Sequence, residues 1–241
     1  MQNAPPVGDR KAGKKVAVER MFDAIAPRYD LLNRVLSLGI DRLWRRKAVD
    51  WLKADRPRRI LDVATGTADL AIEALRLGPD SVVGVDLSEP MLRVGREKVA
   101  RRGESARVTL VQGDAEGLAF EDGTFDAALV AFGVRNFEDL DAGLRDMRRV
   151  LRPGGALVVL EFSRPRAFPI KQLYAFYSAH VLPRIGGAVS GSSAAYEYLP
   201  SSVAAFPDGA DFLARLRGAG FTDVQERRLT FGVASLYKGR A

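Results

Sequence analysis

Between Ile60 and Asp86 the chain spells a strand, a tight turn, a helix and a second strand closed by an acid. Such a unit commits the chain to an α/β sheet whose ligand crevice lies outside the carboxyl ends of the strands. The turn, Asp62-Val63-Ala64-Thr65-Gly66-Thr67-Ala68-Asp69, has Gly66 as its single glycine and a carboxylate at each end. A dinucleotide site needs a glycine-rich turn and a helix N-terminus aimed at a pyrophosphate. Asp62 and Asp69 would repel that anion. S-adenosylmethionine, which carries a sulfonium and an ammonium and no phosphate, suits the turn. Ser81 to Val85 reads as a buried parallel strand, and Asp86 at its end can accept both ribose hydroxyls. The bland alternative makes Asp86 a helix cap for Ser88-Glu89-Pro90.

Two further strand ends carry polar groups toward the same crevice. In Gln112-Gly113-Asp114-Ala115 a carboxylate can accept from an adenine amino group, and the Ala115 N–H can donate to the ring. After Ala131-Phe132-Gly133-Val134, the guanidinium of Arg135 and the amide of Asn136 are expected to face the cleft, unless Arg135 merely bridges Glu138 or Asp139. Strands are expected at Arg59–Val63, Ser81–Val85, Val108–Gln112, Phe125–Ala131 and Ala156–Phe162, with helices near Asp69–Arg76, Met91–Arg101 and Leu140–Leu151, a doubly wound pattern. Pro153-Gly154-Gly155 should turn the chain into the fifth strand. Ahead of the sheet, Val18, Met21, Phe22, Ile25 and Tyr29 repeat at helical spacing, continued by Leu31, Leu32, Val35, Leu36 and Leu38. A further helix is expected over Asp41–Lys53. The long stretch 164–203, irregular and rich in aromatic and small residues, reads as a substrate lid. A helix near Asp208–Ala219 and closing strands at Thr222–Leu229 and Ser235–Lys238 complete the chain.

At 241 residues one α/β domain is expected, over 16–241, with a helical cover at 16–55 and a mobile arm at 1–15 that carries no catalytic residue. There is no cysteine and a single histidine, His180, so metal-free chemistry is the natural expectation. The polar, basic N-terminus lacks a leader-like apolar stretch, and a cytoplasmic protein follows. The net charge of +7 is uneven: residues 1–60 hold 15 Lys/Arg against 7 Asp/Glu, with Arg42, Arg45, Arg46 and Lys47 interleaved along one helix. Such a surface suits nucleic acid, an anionic membrane or plain solvent.

Longer blocks carry a resemblance. Phe22-Asp23-Ala24-Ile25-Ala26-Pro27-Arg28-Tyr29-Asp30-Leu31-Leu32-Asn33 with Leu36-Ser37-Leu38-Gly39-Ile40-Asp41-Arg42-Leu43-Trp44-Arg45, the run Arg149 to Ser163, Phe132-Gly133-Val134-Arg135-Asn136, and Tyr196 to Val203 are similar to blocks of the ubiquinone/menaquinone biosynthesis C-methyltransferases. The resemblance covers about 16–238. It implies a Rossmann-like class I S-adenosylmethionine-dependent methyltransferase with a mostly parallel seven-stranded sheet, N-terminal helices and a lid insertion before the last helix. It also implies carbon methylation of a polyprenylated quinol, demethylmenaquinol before the ubiquinone-pathway benzoquinol. Cofactor contacts carry over to Thr67, Asp86, Asp114 and Ala115, joining Asp62 and Gly66 of the turn, and Arg135 is the catalytic candidate. Asp41 stands where many members have His, Ala131 where Ser is usual, and Ala68 where the turn has glycine, so the backbone at Ala68 should be one that alanine tolerates. Tyr29, Asp30, Tyr196, Tyr198 and His180 stay open as bases. The tail implies access to an anionic membrane face; a homodimer is allowed, and no nucleic acid is expected, since no aromatic RNA-binding motif is appended. An RNA acceptor, a nicotinamide oxidoreductase and a non-catalytic binding protein are the competing readings.

Overall fold

The computed structural model describes residues 10–177 and 194–241. Its sheet has the order β3-β2-β1-β4-β5-β7-β6. Strands β1 (Arg59–Val63), β2 (Ser81–Asp86), β3 (Val108–Gln112), β4 (Phe125–Ala131) and β5 (Leu151–Phe162) run parallel. β7 (Ala234–Arg240) lies antiparallel to β5, and β6 (Thr222–Leu229) antiparallel to β7. The chain steps outward from β1 to β3 and resumes on the other side of β1 with β4. That reversal opens a crevice at the carboxyl ends of β1 and β4, where open α/β sheets bind ligands.

Side chains alternate across the sheet, so neighbours on β1 belong to different layers. Ile60 packs with Trp44 and Val49 of α3 (Ile40–Asp50), with Leu52 just after it, and with Leu70 and Ala74 of α4 (Asp69–Ala74). Leu61 and Val63 pack on the opposite face with Leu144 and Met147 of α6 (Leu140–Val150) and Phe212 and Leu216 of α9 (Ala210–Gly218). Fully buried leucines such as Leu52, Leu61 and Leu129 each contribute roughly 1.5–3 kcal/mol. The same alternation puts Asp62 on the α3/α4 face beside Ile60, where it is buried. α5 (Glu89–Arg101) links β2 to β3, its N-terminus capped by the Ser88 hydroxyl accepting from the Met91 N–H; Ser88, not Asp86, is the cap.

Several expectations shift. The helical pattern from Val18 onward is interrupted by a 3₁₀ turn at Ala26–Arg28 that separates α1 (Arg10–Ile25) from α2 (Tyr29–Leu36). Pro27 supplies the cause, since it lacks an N–H and restricts the residue before it. α1 also begins inside the segment taken as an arm, so Lys14 and Lys15 are helical. β5 starts at Leu151, pairs with Phe125, and loops out through left-handed Gly154 (φ 77°) before pairing resumes at Ala127 with Ala156. The stretch 164–203 contains α7 (Ile170–Phe176) and α8 (Ala194–Ala205), and is therefore not wholly irregular.

Candidate active site

Two cavities share a wall at the β1/β4 crevice. The first, about 90 Å³, is lined by Gly66, Asp86, Asp114 and Ala115 from the strand ends, by Gly133 and Asn136 after β4, and by Lys15, Glu19 and Phe22 of α1. The second, about 610 Å³, is largely apolar and lies between α1, α2, α3, β5, α7 and α8. Phe22, Tyr29 and Phe132 line both. A Cβ on Gly133 would sit 2.6 Å from the Ala64 Cβ, so glycine lets the two strand ends close on each other here.

The β1 turn is built from left-handed residues: Ala64 (φ 53°), Gly66 (φ 54°) and Ala68 (φ 65°). The expectation that the backbone at Ala68 would suit alanine is thus corrected; alanine occupies a glycine conformation there, at a cost of about 1–2 kcal/mol. Asp62 Oδ2 accepts from the Thr65 hydroxyl at 2.6 Å, while its Oδ1 is buried without a partner. Burial, and secondarily the nearby Asp86 charge, push the Asp62 carboxyl up to about 7, against the pull of the Thr65 hydroxyl, the Ala71 N–H and Arg45. Asp69 is held by Lys98 at 2.5 Å, and burial notwithstanding, Lys98 and Arg45 keep its carboxyl below the usual range. The turn therefore carries less free negative charge than its sequence suggests. Thr67 donates to Asp30 at 2.6 Å, and Asp30 also holds Lys98 at 2.7 Å. Neither Asp62, Thr67 nor Asp30 lines a cavity; all three brace the turn from behind.

Asp86 Oδ2 accepts from the Gly66 N–H at 2.8 Å and Oδ1 from the Ser88 N–H at 2.9 Å. Each oxygen keeps a lone pair for a hydroxyl. Burial raises the Asp86 carboxyl, and the two N–H groups oppose it. Asp114 Oδ1 accepts from the Glu116 N–H at 3.0 Å, and its other oxygen pairs with Lys15. Lys15 falls in the segment expected as a mobile arm without a catalytic residue, yet it reaches the strand ends because α1 crosses them; a sequence separation of 99 residues gives no local signal of this.

Arg135 is buried, and it bridges neither Glu138 nor Asp139. Its Nη1 donates to Glu161 Oε1 at 2.8 Å and to the Phe132 carbonyl, and its Nε has no partner. The register Ala131 to Leu160 explains the pair, since Glu161 then lies beside the residues that leave β4. Phe132 takes a left-handed conformation (φ 59°) that turns its carbonyl toward the guanidinium, strain of the kind that clusters at functional sites. The second cavity also holds Tyr29, Asn33, Asp41 and Tyr198. Burial raises both phenols; Asn33, Arg45 and Arg135 counter it at Tyr29, and Arg135 at Tyr198. Raised phenols are neutral near neutral pH and act as donors rather than bases. Arg45 is buried against Asp41 and stacks over Phe132 at 5.6 Å, so it does not belong to the exposed basic stripe. The i, i+4 spacing of Asp41 and Arg45 was the signal for this. The Tyr196 side chain and His180 lie outside the described residues.

The arrangement offers an acid-lined pocket with hydroxyl-accepting positions, abutting an apolar chamber with one buried guanidinium. The sequence profile of the ubiE/COQ5 methyltransferase family matches residues 9–240. The chain is 52% identical over 225 residues to a demethylmenaquinone methyltransferase of Bacteroides fragilis, covering 93% of this chain and 92% of the relative. A demethylmenaquinone methyltransferase of Deinococcus radiodurans is 50% identical over 99% and 98% of the two chains. A ubiquinone/menaquinone biosynthesis C-methyltransferase of Geobacter sulfurreducens is 48% identical over 95% and 90%. Among solved structures, the fold resembles the [4+2]-cyclase SpnF (TM-score 0.66, 20% identity, 94% and 96% covered) and a Thermotoga maritima S-adenosylmethionine-dependent methyltransferase (TM-score 0.62, 21% identity, 92% and 98% covered). A cyclase among these neighbours shows that such a fold alone does not fix the chemistry.

Proposed function

The chain belongs to the ubiE/COQ5 methyltransferase family, and on that premise we propose that its apolar chamber receives a polyprenylated quinol, demethylmenaquinol above all, for methylation at a ring carbon. It is a methyltransferase of menaquinone biosynthesis, and use of S-adenosylmethionine follows from the family. When bound, that cofactor supplies an electrophilic methyl group on a sulfonium. The observation that carries the reading is the shared wall of Phe22, Tyr29 and Phe132, where an acid-lined pocket and an apolar chamber meet. The first pocket fits the cofactor's chemistry: unused lone pairs on Asp86 for ribose hydroxyls, Asp114 and the Ala115 N–H for adenine, a left-handed Gly66 for close backbone approach, and behind the turn the Asp62 carboxyl, a nearby charge when ionised. Each Asp114 oxygen has one partner, the Glu116 N–H or Lys15, and so keeps a lone pair for the adenine amino group.

In the second chamber the chain's task is to favour the quinolate. A phenol titrates near ~10, and lowering it by about three units corresponds to roughly 4 kcal/mol. The buried guanidinium of Arg135 supplies part of that by hydrogen-bonding the developing oxyanion where water is scarce. Tyr29 can donate alongside it, whereas the Tyr198 hydroxyl already donates to Asn136 Oδ1 at 3.1 Å and would have to leave it first. Incubation with methyl-labelled S-adenosylmethionine and, in parallel, reduced demethylmenaquinone, reduced benzoquinone precursor or bulk RNA tests the reading. Label in the naphthoquinone product alone is expected; label in RNA would refute it.

Asp86→Asn keeps one acceptor and turns the other into a donor. S-adenosylmethionine affinity is expected to fall by roughly 10- to 100-fold, read by titration calorimetry, and the thermal midpoint to fall as well, because either the Gly66 or the Ser88 N–H then faces a donor at a cost of about 1–3 kcal/mol.

The substrate's tail resides in a bilayer, and the α2–α3 corner suits contact with one. Among the described residues no helix is long and apolar enough to cross a membrane. Leu38, 91% exposed, and Leu43 sit on the chamber's rim, beside exposed Arg42, Arg46 and Lys47. Each basic residue near an anionic surface contributes about 1 kcal/mol, so neutralising those three should weaken binding to phosphatidylglycerol vesicles roughly 100-fold at low salt. Vesicle co-sedimentation that is insensitive to salt and to these substitutions would return the patch to solvent.

A further inference from the structure

Among the described residues, two buried donors without a partner line the same apolar chamber: Arg135 Nε and Asn33 Nδ2. A buried, unsatisfied donor costs about 1–3 kcal/mol, which a chamber carries without loss only if a ligand supplies the acceptor. We propose that these donors take the two para oxygens of a 1,4-dihydroxy aromatic ring, with Asn33 fixing the oxygen remote from the methylated carbon. The inference rests on the quinol reading above and assigns a specificity residue that reading does not contain.

Placement on the fold decides which donor takes which oxygen. Arg135 and Asn33 both line the chamber and not the first pocket, but Arg135 Nη1 is bonded to the carbonyl of Phe132, which lines both cavities, so the guanidinium lies next to their shared wall. Tyr29 lines both cavities too, whereas Asn33, one turn further along α2, lines only the chamber. Four helical residues advance about 6 Å, comparable to the distance between para oxygens on a six-membered ring. Asn33 neighbours the Tyr29 hydroxyl and opposes the rise of its phenol, while its Nδ2 has no acceptor within hydrogen-bond distance. It is therefore held close to the junction with a free N–H. An amide N–H donates to a hydroxyl and, more strongly, to an oxyanion, and a ring lacking the remote oxygen would leave it unpaired.

The test crosses a residue change with a substrate change. Two acceptors share a short prenyl tail: the dihydroxynaphthalene, and the naphthol that keeps only the hydroxyl beside the methylated carbon. With the first, Asn33→Leu is expected to lower kcat/KM by roughly 10- to 100-fold, chiefly through KM. With the naphthol, wild type should already be lower by a similar factor, and Asn33→Leu should cause no further loss. Asn33→Asp, which offers no donor when ionised, should reproduce the pattern, and unchanged S-adenosylmethionine affinity in both variants reports an intact fold. Equal losses on both acceptors would make Asn33 a structural residue and overturn the proposal. If wild type methylates neither ring, the quinol reading itself fails, an outcome visible before any variant is made.

Discussion

Replacing Arg135 by Met is expected to lower turnover with reduced demethylmenaquinone by roughly 100- to 1,000-fold, the range found when a preorganised oxyanion donor is removed. Affinity for S-adenosylmethionine should stay within a few-fold, because Arg135 lines the chamber and not the cofactor pocket. Glu161 complicates the single substitution. It is fully buried and accepts from Arg135 Nη1, the Arg135 N–H and the Phe162 N–H. Removing only the cation leaves that carboxylate uncompensated, which costs about 3–5 kcal/mol of stability. The combined Arg135→Met, Glu161→Gln protein keeps the site neutral and separates misfolding from lost catalysis. Its rate should be as low as that of Arg135→Met, and its pH–rate profile should shift to higher pH, since the quinol must now ionise with less help. A combined variant with wild-type turnover would remove Arg135 from the chemistry.

The second large effect concerns stability and its pH dependence. The Asp62 carboxyl titrates near 3.9 in an unfolded chain and is raised to about 7 in the fold by burial. Between those values the folded protein binds the extra proton, so stability from this group is complete below about pH 4, declines as pH rises, and is gone above pH 7. Three units set an upper bound of roughly 4 kcal/mol. Asp62→Asn cannot ionise, and its carbonyl can still accept from Thr65. The variant should therefore be more stable than wild type at pH 8 by a few kcal/mol, with the advantage shrinking toward pH 5 in denaturant titrations. Its S-adenosylmethionine affinity should fall, because the nearby negative charge is gone. The combination would mark Asp62 as a site where stability is given up for a ligand. An identical stability difference at pH 5 and pH 8 would show that Asp62 does not titrate in this window.

The parallel strands were legible in the sequence because short apolar runs closed by glycine turns or acids admit few other placements; β1, β3 and β4 match their expected limits. The order of polar groups at the strand ends was legible for the same reason. What the sequence did not disclose is how those groups are partnered. Arg135 meets Glu161 through the β4–β5 register, and Lys15 meets Asp114 because a helix from the N-terminus crosses the sheet. Pairs that distant leave no mark on local periodicity. The charge of the turn misled in part, since Lys98 neutralises Asp69 and burial discourages ionisation of Asp62. Asn33 stood inside a quoted family block without a role, and only the missing partner on its amide singled it out.

The central claim is that one shared wall brings an electrophilic methyl group to a ring carbon made nucleophilic by its neighbouring oxygen. Its most direct test is nuclear magnetic resonance of the product formed from methyl-labelled S-adenosylmethionine with the reduced and the oxidised forms of the same demethylmenaquinone. Label on the ring carbon, from the reduced form only, is the predicted result. Label on oxygen, or equal transfer to the oxidised ring, would contradict it.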